Sequence, residues 1–283
     1  MISPHFYPFG VSIRCFLRSF FLQLILIAFF VSTVEAQSYF RSMPPSSPYE
    51  SDILSARPIR YFIAIGGGVL AFQHLGDFSP NCDCFFSGEK GMRALFAAEF
   101  SVQYPKLGFA FKGQISYQDV SATFSRKTSR MSVVVGDNPD VLVDYENSSK
   151  VELTYLALAT SFAWYFPYTQ IFLAGGLEFG IPRIHSFDHI EKILTADRYY
   201  YDGSTTNTLL PKEDIPGSSH LRIGLNIGVG VDIIITSRFY ITPEIGATYP
   251  FTTVTTVNDP LRVTHRDWKV LTERAIIFFK YRI

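Results

Sequence analysis

The chain has 283 residues, with 25 Lys and Arg against 25 Asp and Glu, so its formal charge is zero. Without bulk positive charge there is nothing to neutralise phosphates, which excludes a nucleic-acid partner. At 18% charged and 16% aromatic residues, the chain is too apolar for disorder and below the roughly 25% charge of soluble domains, and its length suits one domain.

Residues 1–36 read as a cleaved secretory signal peptide. Arg14 and Arg18 precede the apolar run from Phe20 to Val31, and Val34-Glu35-Ala36 supplies small residues at a cleavage site. The run is about 12 residues, short of the roughly 20 that span a bilayer. No Cys follows the site directly, which argues against a lipoprotein. Residues 37–57 are polar and rich in Pro and Ser, the composition of a flexible lead-in. Beyond Gln37 no run of 18 apolar residues occurs, so any membrane crossing must use strands.

From residue 58 the period is two almost throughout. Strands are predicted at 58–74, 92–104, 107–118, 150–166, 169–184, 220–233, 238–250 and 266–283. The plainest is the stretch after His220: Leu221, Ile223, Leu225, Ile227, Val229, Val231 and Ile233 share one face, and Arg222, Gly224, Asn226, Gly228, Gly230 and Asp232 the other. These strands exceed the usual 5–6 residues and meet the roughly 9–11 needed for a tilted transmembrane strand. Cys82 and Cys84 fall in a connection as Cys-x-Cys. Two ligands are too few for a closed zinc site, and a disulfide two residues apart is strained, so they read as a loop thiol pair.

The connections alternate in length. Short turns are expected at Pro105-Lys106, Pro167-Tyr168 and Thr236-Ser237, and long loops at 75–90, 126–148, 185–218 and 251–265. Outer-membrane barrels have this alternation, with short periplasmic turns. Two-residue turns would set Tyr104 against Leu107, Glu99 against Lys112 and Glu178 against Ala157. Within 126–148, Val133-Val134-Val135 and Val141-Leu142-Val143 flank a Gly136-Asp137-Asn138-Pro139 turn, which predicts a hairpin above the barrel.

The polar face is not an ordinary solvent face. It carries Gly176, Gly180, Gly224, Gly228, Gly230, Ala157 and Ala159, with isolated charges at Glu99, Lys112, Glu178, Arg222, Asp232, Glu244 and Arg274. Small residues suit the crowded interior of an eight-stranded barrel, and buried charges should pair there as a structural network. A narrow ion path along the same groups is the functional alternative. Tyr104, Trp164, Phe166, Tyr168, Phe239 and Tyr281 flank the short turns and Trp268 and Tyr249 lie toward the long loops, where aromatic girdles form. The fold class is all-β: an eight-stranded antiparallel transmembrane barrel, an up-and-down meander, over residues 58–283.

The chain ends inside its last strand, with Phe279, Tyr281 and Ile283 on one face and Lys280 and Arg282 on the other. This resembles the C-terminal strand signal of outer-membrane barrels, with Ile283 replacing the usual terminal aromatic. With the architecture, it makes residues 58–283 similar to the small eight-stranded outer-membrane barrels of Gram-negative bacteria, the OmpA-barrel, OmpX and PorT-like group. The resemblance implies outer-membrane location, with outer-membrane lipid and the assembly machinery as partners.

Candidate chemistry is thin. Some outer-membrane barrels are enzymes with His, Ser and acidic residues near the outer rim, and His74, His185, His189, His220 and His265 map to that side. Yet no Ser, His and acid set has a spacing that forces contact. The sequence lacks a phosphate loop, a dinucleotide fingerprint and His-Glu-x-x-His, so no cofactor is expected. The long loops, with Arg198-Tyr199-Tyr200-Tyr201-Asp202-Gly203 in the longest, suit partner binding. The expectation is a non-enzymatic role in envelope integrity, adhesion or surface interaction, ahead of a narrow channel and an outer-membrane enzyme.

Overall fold

The computed structural model describes residues 59–79, 86–131, 142–167, 169–256 and 264–283. The signal and lead-in segments, Cys82, Cys84, Tyr168 and the hairpin residues 132–141 lie outside the described residues. Period-two alternation makes the described chain a run of strands: β1 (Arg60–Ser79), β2 (Phe86–Ser87), β3 (Lys90–Tyr104), β4 (Phe109–Asp119), β5 (Ala122–Met131), β6 (Leu142–Tyr165), β7 (Ile171–Ile193), β8 (Thr206–Asp214), β9 (Arg222–Val231), β10 (Ile233–Ile234), β11 (Phe239–Pro250) and β12 (Thr264–Arg282).

Eight of these close a ring. Each pairs antiparallel with its neighbour in the order β1, β3, β4, β6, β7, β9, β11, β12, and β12 pairs back onto β1. This is an eight-stranded antiparallel barrel wound as a meander. The stagger follows from the register. Ala71 pairs with Glu273, then the path runs through Ala247, Ile227, Gly175, Phe162, Phe111 and Val102 and returns to β1 at Tyr61, ten residues from its start. Such a stagger on eight strands goes with a tilt of about 45° and an interior that side chains just fill.

The turns correct the expected register. Tyr104 pairs with Phe109, not Leu107, because Pro105–Gly108 forms a four-residue turn closed by the Leu107 amide on the Tyr104 carbonyl (3.1 Å), with Gly108 in the left-handed region (φ 67°). Glu99 therefore pairs with Gln114, and Lys112 with Ser101. Glu178 pairs with Ala159, not Ala157. Both slips are of two residues, so every side chain keeps its face.

The expected loop 185–218 is built largely as strands, and the hairpin expected within 126–148 begins earlier in the chain, with β5. β5 and β6 form a hairpin with Met131 against Leu142, continuing 24-residue β6 above the ring. β7 continues to Ile193 and takes β8 as a partner, from Ser186 with Asp214 to Lys192 with Thr206. β5, upper β6, upper β7 and β8 thus form a four-stranded sheet standing on one side of the barrel.

Ring closure is tightest at inward glycines. A Cβ on Gly176 would lie 1.9 Å from the Thr160 carbonyl oxygen of β6, whereas Gly175, on the outer face, has nothing within 4 Å. Gly176→Ala should therefore cost about 1–3 kcal/mol, and Gly175→Ala should stay within about 0.5 kcal/mol. The check is the midpoint at which each refolded variant loses its compact, SDS-resistant gel form on heating.

Candidate functional site

The inward charges form one continuous chain. Asp232 meets Lys280 (3.1 Å), Lys280 meets Glu99 (3.3 Å), and Glu99 meets Lys112 (2.9 Å). Lys112 pairs with Glu244, Glu244 with Arg274 (2.9 Å), Arg274 with Glu178 (3.8 Å), and Glu178 with Arg222 (3.5 Å). Four carboxylates alternate with four cations, so the chain is neutral overall. The sequence reading named seven of the eight; Lys280 was placed on the inward face but left out of the network.

Neutral side chains complete the chain. Tyr165 and Thr242 hydroxyls donate to Asp232 at 2.7 and 2.6 Å, Thr248 donates to Glu178 at 3.1 Å, and Arg222 donates to Gln118 at 2.9 Å. The Phe172 ring lies under both lysines, 4.5 Å from Lys112 Nζ and 5.5 Å from Lys280 Nζ. These eight side chains hold one another.

Above the charges the interior turns aromatic. Phe78 stacks on Trp268 (4.3 Å) and meets Phe124 edge-on (4.8 Å), and Phe72 and Phe86 close the cluster. All five rings are buried. Trp268 was expected in an upper girdle. It shares the face of Arg274 on β12, and alternation carries it into the barrel instead.

His74 sits in this cluster, fully buried. Its Nδ1 accepts from Trp268 Nε1 (3.1 Å), so its Nε2 carries the proton and donates to the Val120 carbonyl (2.9 Å). His189 is also buried and meets Asn147 (3.2 Å), whereas His220 is exposed and His185 half-buried. His74 and His189 are buried because the strands continue past the membrane and carry a second core with them. His265 has only its backbone described, opposite Phe78.

The outer face is the reverse of a soluble barrel. Ile65 (71% exposed), Phe96 (70%), Trp164 (62%) and Phe279 (60%) belong to a belt of Ile, Leu, Val and Phe around the ring. On β1 the belt covers Tyr61 to Ala71 and ends below Gln73. At a tilt near 45° such a length matches an apolar band about 25 Å tall. Water would not tolerate a continuous apolar surface of this extent. The chain folds as a small outer-membrane-type β-barrel. Trp164, Phe166 and Phe239 are exposed at its short-turn end and Tyr249 at the other, and Tyr104 and Tyr281 are half-buried. Phe279 and Ile283 of the final strand face outward, with Tyr281 beside Phe239 (5.1 Å).

No protein-family model matches the sequence, and no curated protein matches it. Among solved structures, the chain is similar to the attachment invasion locus protein Ail of Yersinia pestis, crystallised with the heparin analogue sucrose octasulfate (13% identity, 79% of this chain, 99% of that chain, TM-score 0.31). It is also similar to Neisserial surface protein A (10%, 80% and 100%, TM-score 0.33) and to the outer membrane protein OprG of Pseudomonas aeruginosa (13%, 78% and 95%, TM-score 0.28). These superpositions are loose, and no role is carried over from them.

The upper sheet holds the remaining candidates. Tyr200 donates to buried Glu191 (2.8 Å), which anchors the turn closed by Gly203 (φ 78°), and Tyr199 and Tyr201 stand exposed beside it. On the outer face, midway along β6, Glu152 pairs with Lys150 (2.6 Å) and with Lys212. Among the described residues no three His, Cys, Asp or Glu side chains are placed to hold a metal ion.

Two outcomes follow. Lys112→Met leaves one buried negative charge unmatched and should cost about 3–5 kcal/mol. Adding Glu244→Gln restores neutrality and should recover most of that loss, read as the unfolding midpoint in detergent. His74 lies above the spanning part of β1, and burial pushes its pKa down to about 4 from 6.5, the Val120 carbonyl opposing more weakly. The unfolded state takes up the proton first, so stability present above pH 6.5 is lost as pH falls toward 4, by about 3 kcal/mol. Trp268 fluorescence in a Trp164→Phe background should report the loss, and His74→Gln should flatten it.

Proposed function

We propose that the protein resides in the outer membrane of a Gram-negative bacterium and acts without catalysis, by adhesion or surface interaction through the sheet β5–β8. The observation that carries this reading is a contrast between inside and outside. The interior is filled by a neutral charge chain and an aromatic cluster, while the longest strands of the molecule are spent on a sheet above the membrane. Exposed Tyr199 and Tyr201 give that sheet rigid amphipathic side chains of the kind that dominate binding surfaces.

Two measurements test the reading. In planar bilayers the refolded protein should give no discrete conductance steps; reproducible steps would favour a narrow channel instead. On the surface of a host lacking other adhesins it should raise attachment to cells or coated surfaces. Tyr199→Ser with Tyr201→Ser should reduce that attachment severalfold while leaving heat-modifiability intact. Attachment unchanged by this pair, or equal to that of an empty host, would overturn the role.

A further inference from the structure

A cleft of about 460 Å³ opens on the outer face of the barrel where the lipid belt ends. It is lined by Glu152, Arg183, Ile184, His185, Ser186, Lys212, Glu213 and Asp214. Its floor is made by a β-bulge. Tyr155 pairs with Pro182 and Thr154 with Ile184, so Arg183 has no opposite residue and is pushed outward. Its upper wall is one row across three strands, Glu152 beside Ser186 beside Asp214, with Glu213 opposite Phe187.

The charges are ordered along the membrane normal. Exposed Ile181 belongs to the apolar belt below. Arg183 comes next, exposed and without a hydrogen bond or ion pair among the described residues. Asp214, on the outer face, stands further from the membrane and meets no cation within 4 Å among the described residues; Lys212 is taken by Glu152.

We propose that this cleft binds the zwitterionic headgroup of an outer-leaflet lipid, one carrying a phosphate and, further from its acyl chains, an amine. The order apolar, cation, carboxylate in the protein matches the order acyl chain, phosphate, amine in such a lipid. Arg183 holds the phosphate, since a guanidinium presents several donors to its oxygens. Asp214 receives the ammonium. A purely anionic headgroup would meet this carboxylate unfavourably, so the mixed lining selects for the zwitterion. The proposal rests on the membrane placement argued above and not on the adhesive role.

The test is native mass spectrometry of the full mature protein in detergent, titrated with phosphatidylethanolamine or phosphatidylglycerol. The expected result is one retained phosphatidylethanolamine, with affinity at least about tenfold above phosphatidylglycerol. Arg183→Gln should weaken both lipids about tenfold, and Asp214→Asn should remove the preference between them. Lys192→Gln, outside the cleft, should change neither. Equal binding of both lipids by the native protein, or no effect of Arg183→Gln in a heat-modifiable variant, would overturn the site. Equal occupation by soluble phosphoethanolamine would overturn the lipid as its source. Vesicle flotation, run in parallel, reads the membrane placement by itself: protein left unbound there sinks that placement and the lipid site with it.

Discussion

Closing eight strands with a ten-residue stagger leaves an interior only as wide as its own side chains. The rest of the molecule answers to that constraint. Whatever points inward is removed from water and must be small, apolar or paired. Gly176 is small because the backbone of β6 passes through the space a Cβ would take. The eight charges alternate in sign because a like-charged neighbour at 3 Å in a poorly solvated lumen would be untenable. An unbroken alternation of four carboxylates with four cations leaves these eight side chains with no net charge.

The same constraint explains why faces were legible in the sequence and registers were not. Side-chain direction in a strand depends on parity alone, so the alternation around Glu99, Lys112 and Glu178 assigned them inward without knowing their partners. Register depends on turn length. Pro105-Lys106 and Pro167-Tyr168 look like two-residue turns, but the first continues to Gly108, whose left-handed backbone ends it. An error of two residues is invisible to parity, which is why Glu99 and Lys112 still meet at 2.9 Å although they are not opposite each other. Diagonal contact is enough for long charged side chains.

What stayed hidden was most of the upper half. A hairpin was legible within 126–148 but not its full length from β5, and 185–218 is polar enough to pass for a loop, since outward positions there carry Lys and Asp where lower positions carry Leu and Phe. Alternation persists, but the meaning of its two classes inverts at the membrane boundary. Below it the apolar residues face out; above it they face in, as in an ordinary soluble sheet. Tyr145, Val151 and Phe187 are buried on that rule, and His74, His189 and Trp268 are buried with them. A histidine toward the outer end therefore need not be wet. The signal that could have found this was parity: Trp268 lies an even number of residues from Arg274, and the same count that places Arg274 inward places Trp268 there.

This inversion also locates the boundary on the molecule. Outward residues change from apolar to charged between Leu156 and Glu152 on β6 and between Ile181 and Arg183 on β7. A bulge is placed at that height on β7 and at no other point of its pairing with β6. A bulge re-aims side chains and increases local twist. Here it turns an arginine outward where the barrel strands leave the membrane and become the sheet. The transition from lipid-facing wall to exposed sheet is thus made by one extra residue, and that residue carries the charge suited to the headgroup layer it enters.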